Sequence, residues 1–242
     1  MSLTRFKTFS KALLTSLRTG QFKALLKEFR RRIYSDWTHF GLARDLTQPF
    51  EPAPAKIAVT IRPLKDSDVA SLLAMDAPGI SDRGPYVRMH RLNFLQANIG
   101  TCYVGVTDDD TPCYMQWLMS AKENDAIQAY FHGIFPVLEP NEALLEYAFT
   151  PEAFQGKGIM PYAMARITEK ATDLGAKRVI TFVDHQNIAA LKGCKRAGFN
   201  PYLTRTDQWR FFRRHYKFTL LPAGTPYPFD IAPPAVAAPA QS

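Results

Sequence analysis

Apolar residues near the start of the chain recur at intervals of three and four. They are Phe6, Phe9, Leu13, Leu14 and Leu17, then Phe22, Leu25, Leu26, Phe29 and Ile33. This spacing predicts an apolar stripe along helix over residues 3–34, and Gly20 predicts a division into two helices. The pattern stops at Pro49, Pro52 and Pro54, where each missing N–H and fixed φ favours an extended connector over residues 48–56. Alternation of Ile57, Val59 and Ile61 then predicts a strand over 57–62. Asp66 and Asp68 offer caps for a helix running to about Met75. Residues 84–98 read as a further helix. Segments 102–107 and 112–119 flank an aspartate-rich turn and predict a hairpin. Residues 127–135 and 144–150 read as strands. A helix over 159–174 follows, ended by Gly175. Then come a strand over 178–183, a helix over 187–197 and a final strand or pair within 208–220. Six prolines from Pro222 onward predict a disordered tail.

This pattern predicts a mixed α/β body over residues 57–221, preceded by a helical arm (1–47) and a Pro-rich linker (48–56), and followed by a Pro/Ala-rich tail (222–242). The length of 242 residues and an apolar content of 46% suit one substantial core with appendages. No run approaches the roughly 20 apolar residues of a spanning helix.

Charge changes the picture because it is uneven. The chain carries a net +8, but residues 1–46 hold ten Lys/Arg against three acids, whereas the rest is nearly balanced. A near-neutral body with a basic arm gives no strong case for nucleic acid. Cys102, Cys113 and Cys194 are odd in number and in no metal-binding spacing, which argues against disulfides and a zinc site and predicts reduced thiols in the cytoplasm. The cations that interrupt the first apolar residues exclude a secretory signal of the usual form.

The segment from 144 to 199 carries the chemistry. A strand leads into Gln155-Gly156-Lys157-Gly158 and then a helix. Glycines between strand and helix allow close backbone approach, and the unpaired N–H groups of a helix start attract an anion such as a diphosphate. The GxxxxGK[ST] and GxGxxG spacings are both absent. A second run, from Asn187 through Ala190 and Lys195 to Gly198-Phe199, lies 32 residues beyond Gln155.

Together these motifs resemble the cofactor-binding core of the GNAT superfamily of acyl-CoA-dependent N-acyltransferases. Gln155-Gly156-Lys157-Gly158-Ile159-Met160 is similar to its Q/R-x-x-G-x-G/A loop, and the second run is similar to its N-x-x-A…K/R-x-G-F helix. Ile61-Arg62-Pro63 with Asp66 and Asp68 looks like its usual first strand and helix. The resemblance implies a central, mostly antiparallel twisted sheet flanked by helices, with acetyl-CoA or another acyl-CoA as co-substrate and no metal. Backbone N–H groups of Gln155, Gly156, Lys157, Gly158, Ile159 and Met160 would hold the pyrophosphate. The strand at Tyr147, Ala148 and Phe149 would pair with the pantetheine arm, and Asn187 would hold that arm from the other side. Two departures stand out. Met160 occupies a position where a small residue is usual. Cys194 stands where many members have a tyrosine acid, so it is either a proton donor to the thiolate or a small residue lining the thioester pocket.

An amine must be neutral to attack a thioester, which calls for a general base. The family position points to Glu146; the alternative is a salt-bridged strand carboxylate. Glu139 and Glu142 could recognise a cationic substrate. His132 is a further base candidate or a structural histidine, and Asp184 reads as the cap of the helix near Asn187. Tyr114, Trp117, Tyr130 and Phe131 line an acceptor pocket or pack the core. Trp209-Arg210-Phe211-Phe212-Arg213-Arg214 fits a polyanion or an alternating edge strand.

The expected activity is transfer of an acetyl group to a primary amine of a small molecule. The alternatives are transfer from an acyl carrier protein at a membrane surface and a non-catalytic CoA-binding module. Residues 1–46 could pack on the body, meet an acidic protein, or lie on the inner face of the membrane.

Overall fold

The computed structural model describes residues 22–73 and 84–230. The elements in order are α1 (Phe22–Ile33), β1 (Tyr34–Asp45), β2 (Thr60–Pro63), α2 (Asp66–Leu73), α3 (Gly84–Ala97), β3 (Thr101–Val106) and β4 (Pro112–Ser120). They continue with α4 (Asn124–Phe131), β5 (Glu142–Phe149), α5 (Ile159–Glu169), β6 (Arg178–Asp184), α6 (Ile188–Arg196), β7 (Asn200–Arg210) and β8 (Arg213–Leu220). Hydrogen-bonded strands follow the order β2-β3-β4-β5-β6-β1-β7-β8. The pairs from β2 to β5 are antiparallel, and β5–β6 is parallel. The fold is thus mixed α/β, with a mostly antiparallel sheet and flanking helices.

Contacts divide the chain into two units: Met1–His39 with Thr204–Thr219, and Phe40–Leu203 with Leu220–Ser242. In the larger unit, α5 buries Ile159, Ala163, Met164 and Ile167 among Tyr114, Leu118, Val179, Leu191 and Phe199. The linker belongs to this unit. Its Lys56 N–H donates to the Lys157 carbonyl at 2.8 Å, and Phe50 lies under the Arg44 guanidinium at 4.6 Å. Residues 222–230 are also placed, with Tyr227 buried and its hydroxyl donating to the Phe199 carbonyl at 2.7 Å. The remainder of the expected tail lies outside the described residues, as do the stripe over 3–21, its Gly20 break and the expected end of the helix at Met75.

In the smaller unit α1 covers the second half of the segment read as helical, although its Leu26 and Phe29 are exposed. Asp207, 3% exposed, is held by Arg205 at 2.8 Å and Arg214 at 2.6 Å. Residues 208–220 contain the end of β7 and the whole of β8, so the final segment is a pair.

Two readings need correction. Residues 34–45, assigned to a helical arm, form β1. Their pattern hid a strand because one inward position is Arg44, which is 4% exposed and donates to the Ala165 carbonyl at 3.2 Å and pairs with Glu169 at 3.7 Å. Gly41 adds to the disguise: a Cβ there would stand 2.5 Å from Leu203, so a strand-forming residue does not fit. Of residues 127–135, read as a strand, 127–131 instead continue a helix begun at Asn124, and 132–135 form the turn after it. Ser120 and Glu123 form a capping box in the turn just before it, and Ile127 and Phe131, one helical turn apart, are both buried.

Leu42 is fully buried in the core of the larger unit. Replacing Leu42 by Ala should therefore lower the unfolding free energy in urea by about 2–5 kcal/mol. A change below about 0.5 kcal/mol would mean that this segment is not part of the core.

Candidate active site

β5 and β6 pair in parallel from Glu142↔Arg178 to Leu144↔Ile180. Beyond that point their register stops and a side chain takes over. The Glu146 Oε1 accepts from the Phe182 backbone N–H at 2.7 Å, with the Thr181 hydroxyl at 3.5 Å. A carboxylate therefore bridges the strands where backbone pairing ends, and it is half-buried there.

On its other edge β5 carries a bulge. Trp117 lies opposite Glu146 and Met115 opposite Phe149, so one more residue is spent on β5 than on β4. Tyr147 takes the left-handed φ of +61° within it. That conformation costs a non-glycine residue about 1–2 kcal/mol, and ring contacts at 4.9 Å with Phe94 and 5.9 Å with Trp117 and Phe131 hold it. The carbonyl of Ala148 accepts from Arg91 at 3.3 Å, and the same guanidinium lies 4.5 Å from the Phe149 ring centroid. Arg91 is 8% exposed, and burial, offset only partly by Tyr147, lowers its pKa to about 10.

The glycine loop follows. Gly156 and Gly158 take φ of +73° and +76°, and nothing lies within 4 Å of a Cβ placed on Gly156. Gly158 is the N-cap residue of α5, so the first N–H groups of that helix point out of its end. A cavity of about 620 Å³ is lined by Ala148, Phe149, Gln155, Gly156, Gly158, Ile159, Met160 and Asn187, among others. Lys192 and Arg196 also line it, and no Asp or Glu does. The sequence reading missed these two cations, although Ala189, Lys192 and Arg196 lie on one face at i, i+3 and i+7. The positive helix end, the open glycines and the two cations suit a diphosphate.

A second cavity of about 250 Å³ shares Ala148, Met160, Asn187 and Ala190 with the first, and it extends to Gln116, Glu146, Phe182 and Cys194. Nine of the ten expected cofactor positions thus line one or both cavities. Lys157 is the exception, its ammonium lying 5.1 Å from the centroid of the Phe154 ring. Met160 is accommodated by Gly193, where a Cβ would clash with its sulfur.

Several candidates also have local structural partners. Asn187 itself caps α6, its Oδ1 accepting from Ala190 N–H at 3.1 Å, so a ligand contact would come from its amide Nδ2. Asp184, expected as that cap, instead accepts from Gln186 N–H at 2.9 Å in a local turn. Glu142 is buried and paired with Arg178 at 3.2 Å. His132 ends α4 in a left-handed conformation. Tyr114 is fully buried and donates to Gln116 at 2.6 Å.

All three cysteines are free and buried. Cys194 is 1% exposed, with its sulfur 3.8 Å from that of Met164. Burial first, and the Glu146 charge second, push its thiol well above the usual range. Burial likewise raises Cys113 to about 11 and Cys102 further still.

The family profile described as "Acetyltransferase (GNAT) domain" matches residues 58–200, more than half of the chain. The chain belongs to the GNAT acetyltransferase family. Solved structures with a similar backbone include an acetyltransferase of the GNAT family from Colwellia psychrerythraea (15% identity, 79% of this chain and 61% of that one, TM-score 0.46). Others are GCN5-related N-acetyltransferases from Sphaerobacter thermophilus (13%, 78% and 57%, 0.43) and Kribbella flavida (13%, 76% and 62%, 0.44). The chain thus spans about three-fifths of the length of these structures. No curated protein matches it.

Thiol labelling checks the burial. At pH 8 the folded protein should react with a thiol reagent far more slowly than a free cysteine, and three equivalents should react on unfolding, because only thiolates are nucleophilic. Rapid labelling of Cys194 in the folded state would contradict its burial.

Proposed function

We propose that the protein transfers an acetyl group from acetyl-CoA to the primary amine of a small molecule by direct attack on the thioester. The observation that carries this reading is the pair of joined cavities, one at a cationic helix start and the other ending at the Glu146 carboxylate between two parted strands. The residues fit the co-substrate. Gln155, Gly156, Gly158 and the first turn of α5 would hold the diphosphate, with Lys192 and Arg196 beside them. The edge of β5 at Tyr147, Ala148 and Phe149 is left without β6 as a partner beyond Leu144, and it would hold the amide-rich arm together with Asn187. Acetyl-CoA, when bound, supplies a thioester whose carbonyl carbon is the acceptor of the amine.

The chain's own contribution is modest and specific. Glu146 takes the proton that the attacking amine must lose, directly or through water. Its bond to Phe182 N–H keeps the carboxylate at the inner cavity, so orientation is preset. Backbone amides at the β5 bulge polarise the carbonyl. Cys194 keeps its proton at physiological pH and packs on Met164, which supports a place in the pocket wall rather than nucleophilic attack. Three free thiols suit a cytoplasmic setting.

Acetyl-CoA should raise the melting temperature, and a panel of amines should release free CoA. Glu146→Gln keeps an oxygen acceptor for Phe182 N–H, so it should lower kcat by about 10²–10⁴-fold while leaving acetyl-CoA affinity within about threefold. Acetyl-CoA binding with no amine-dependent release would instead favour a binding module, and release only from an acyl carrier protein would identify the donor as that protein.

Replacing Lys192 and Arg196 together by Ala should weaken acetyl-CoA binding by about tenfold at low salt and by less at high salt, where exposed charges are screened. Equal affinity for wild type and variant by calorimetry would remove these cations from the site.

A further inference from the structure

The smaller unit has a feature that acyl transfer does not use. β7 ends at Arg210 and β8 begins at Arg213, so the connecting loop is the pair Phe211-Phe212. Both take left-handed φ, +46° and +66°. Two-residue hairpin loops of this form ordinarily use Asn-Gly, because bulky side chains are strained there. Here the strained positions carry two phenylalanines, 81% and 50% exposed. The loop is firmly seated. Phe211 N–H donates to the Ile33 carbonyl at 2.8 Å and Phe212 N–H to the Arg32 carbonyl at 2.7 Å, which are carbonyls at the end of α1. The Phe212 ring meets the edge of Phe29 at 5.2 Å.

The surroundings share this character. Of the eleven large hydrophobic residues exposed among the described residues, six belong to this unit: Leu26, Phe29, Tyr34, Trp37, Phe211 and Phe212. Within residues 22–39 and 204–219, ten Lys/Arg stand against three acids. Arg30 and Arg213 form no ion pair among the described residues. Exposed aromatic tips set beside exposed cations such as Arg30 and Arg213 are the chemistry of a membrane interface, where rings enter the headgroup–acyl boundary and cations meet anionic headgroups.

We propose that the Phe211-Phe212 hairpin tip and the end of α1 form a docking surface for an anionic lipid bilayer. Charge complementarity selects this occupant. A second copy of the chain would bring two strongly cationic units together. A single-stranded nucleic acid needs open ring faces for stacking. The Trp209 ring is instead covered by Arg31, Arg32 and Arg214, whose guanidinium carbons lie 5.4–5.8 Å from its centroid. An acidic protein would satisfy the arginines but would need a preformed pocket for a protruding pair of rings, whereas a bilayer needs none.

The test uses the full chain, carrying either wild-type sequence or the double substitution Phe211→Asn with Phe212→Gly. This substitution supplies the residues the turn favours, so the hairpin should keep or gain stability. Sedimentation is measured with vesicles of phosphatidylcholine alone and with vesicles that also contain phosphatidylserine. The wild type should bind the mixed vesicles selectively. The double variant should lose about tenfold or more in partitioning, with an unchanged or higher melting temperature and an unchanged thermal response to acetyl-CoA. Arg30→Glu with Arg213→Glu should abolish the preference for phosphatidylserine. The proposal is overturned if wild type fails to bind mixed vesicles, if the tip variant binds as wild type does, or if binding is seen only to nucleic acid or an acidic protein. None of these results depends on acetyl transfer, which the thermal response to acetyl-CoA follows separately.

Discussion

The separation of β5 from β6 governs the rest of the larger unit. Parallel strands ordinarily continue to pair, since unpaired backbone groups away from water are costly. Here pairing stops after Leu144↔Ile180, and the Glu146 carboxylate supplies the acceptor that Phe182 N–H would otherwise lack. The bond does two things. It satisfies a donor at the mouth of the gap, and it places an anionic side chain at the bottom of a cavity that the gap creates. Widening the gap without such a group would leave a buried donor unmet; closing it would remove the cavity.

The gap also needs walls that do not follow the strands apart. On one side α5 and α6 pack together, with Met160 set against Gly193. Gly198, at φ +85°, admits the Phe50 ring where a Cβ would approach it within 3 Å. Phe50 belongs to the linker, and Lys56 from the same linker holds the Lys157 carbonyl of the glycine loop. The proline-rich segment is thus a strap over the loop, which is why it could be recognised as extended from its prolines while its role could not.

Legibility followed the range of the interactions. The glycine loop, the helix it starts and the Asn187 turn are local devices, set by residues within four positions of each other, and the sequence displayed them directly. The β1 strand was hidden because its inward Arg44 finds its acceptors, the Ala165 and Ala197 carbonyls and the Glu169 carboxylate, more than a hundred residues away. The α4 helix was hidden because Tyr130 and Phe131 have strand-like chemistry, while the cap that starts the helical turn sits upstream at Ser120 and Glu123. The bulge at Tyr147 left no trace, since a tyrosine at positive φ is chosen by its ring partners and not by its own preference.

Arg91 shows what that bulge demands. A guanidinium at 8% exposure, with no carboxylate partner among the described residues and an unsatisfied Nε, is unfavourable by itself, and its lowered pKa expresses the same cost. Among the described residues it donates to the Ala148 carbonyl, and its flat face covers Phe149. Glu146 is fixed from the β6 side by Phe182 N–H, and Ala148 and Phe149 are fixed from the α3 side by Arg91, so this end of β5 is held from two directions. A core built for stability alone would replace Arg91 with an apolar residue of similar volume. Retaining a buried cation there is reasonable where the position of one strand edge matters more than the stability it costs, and that edge is the one both cavities share at Ala148.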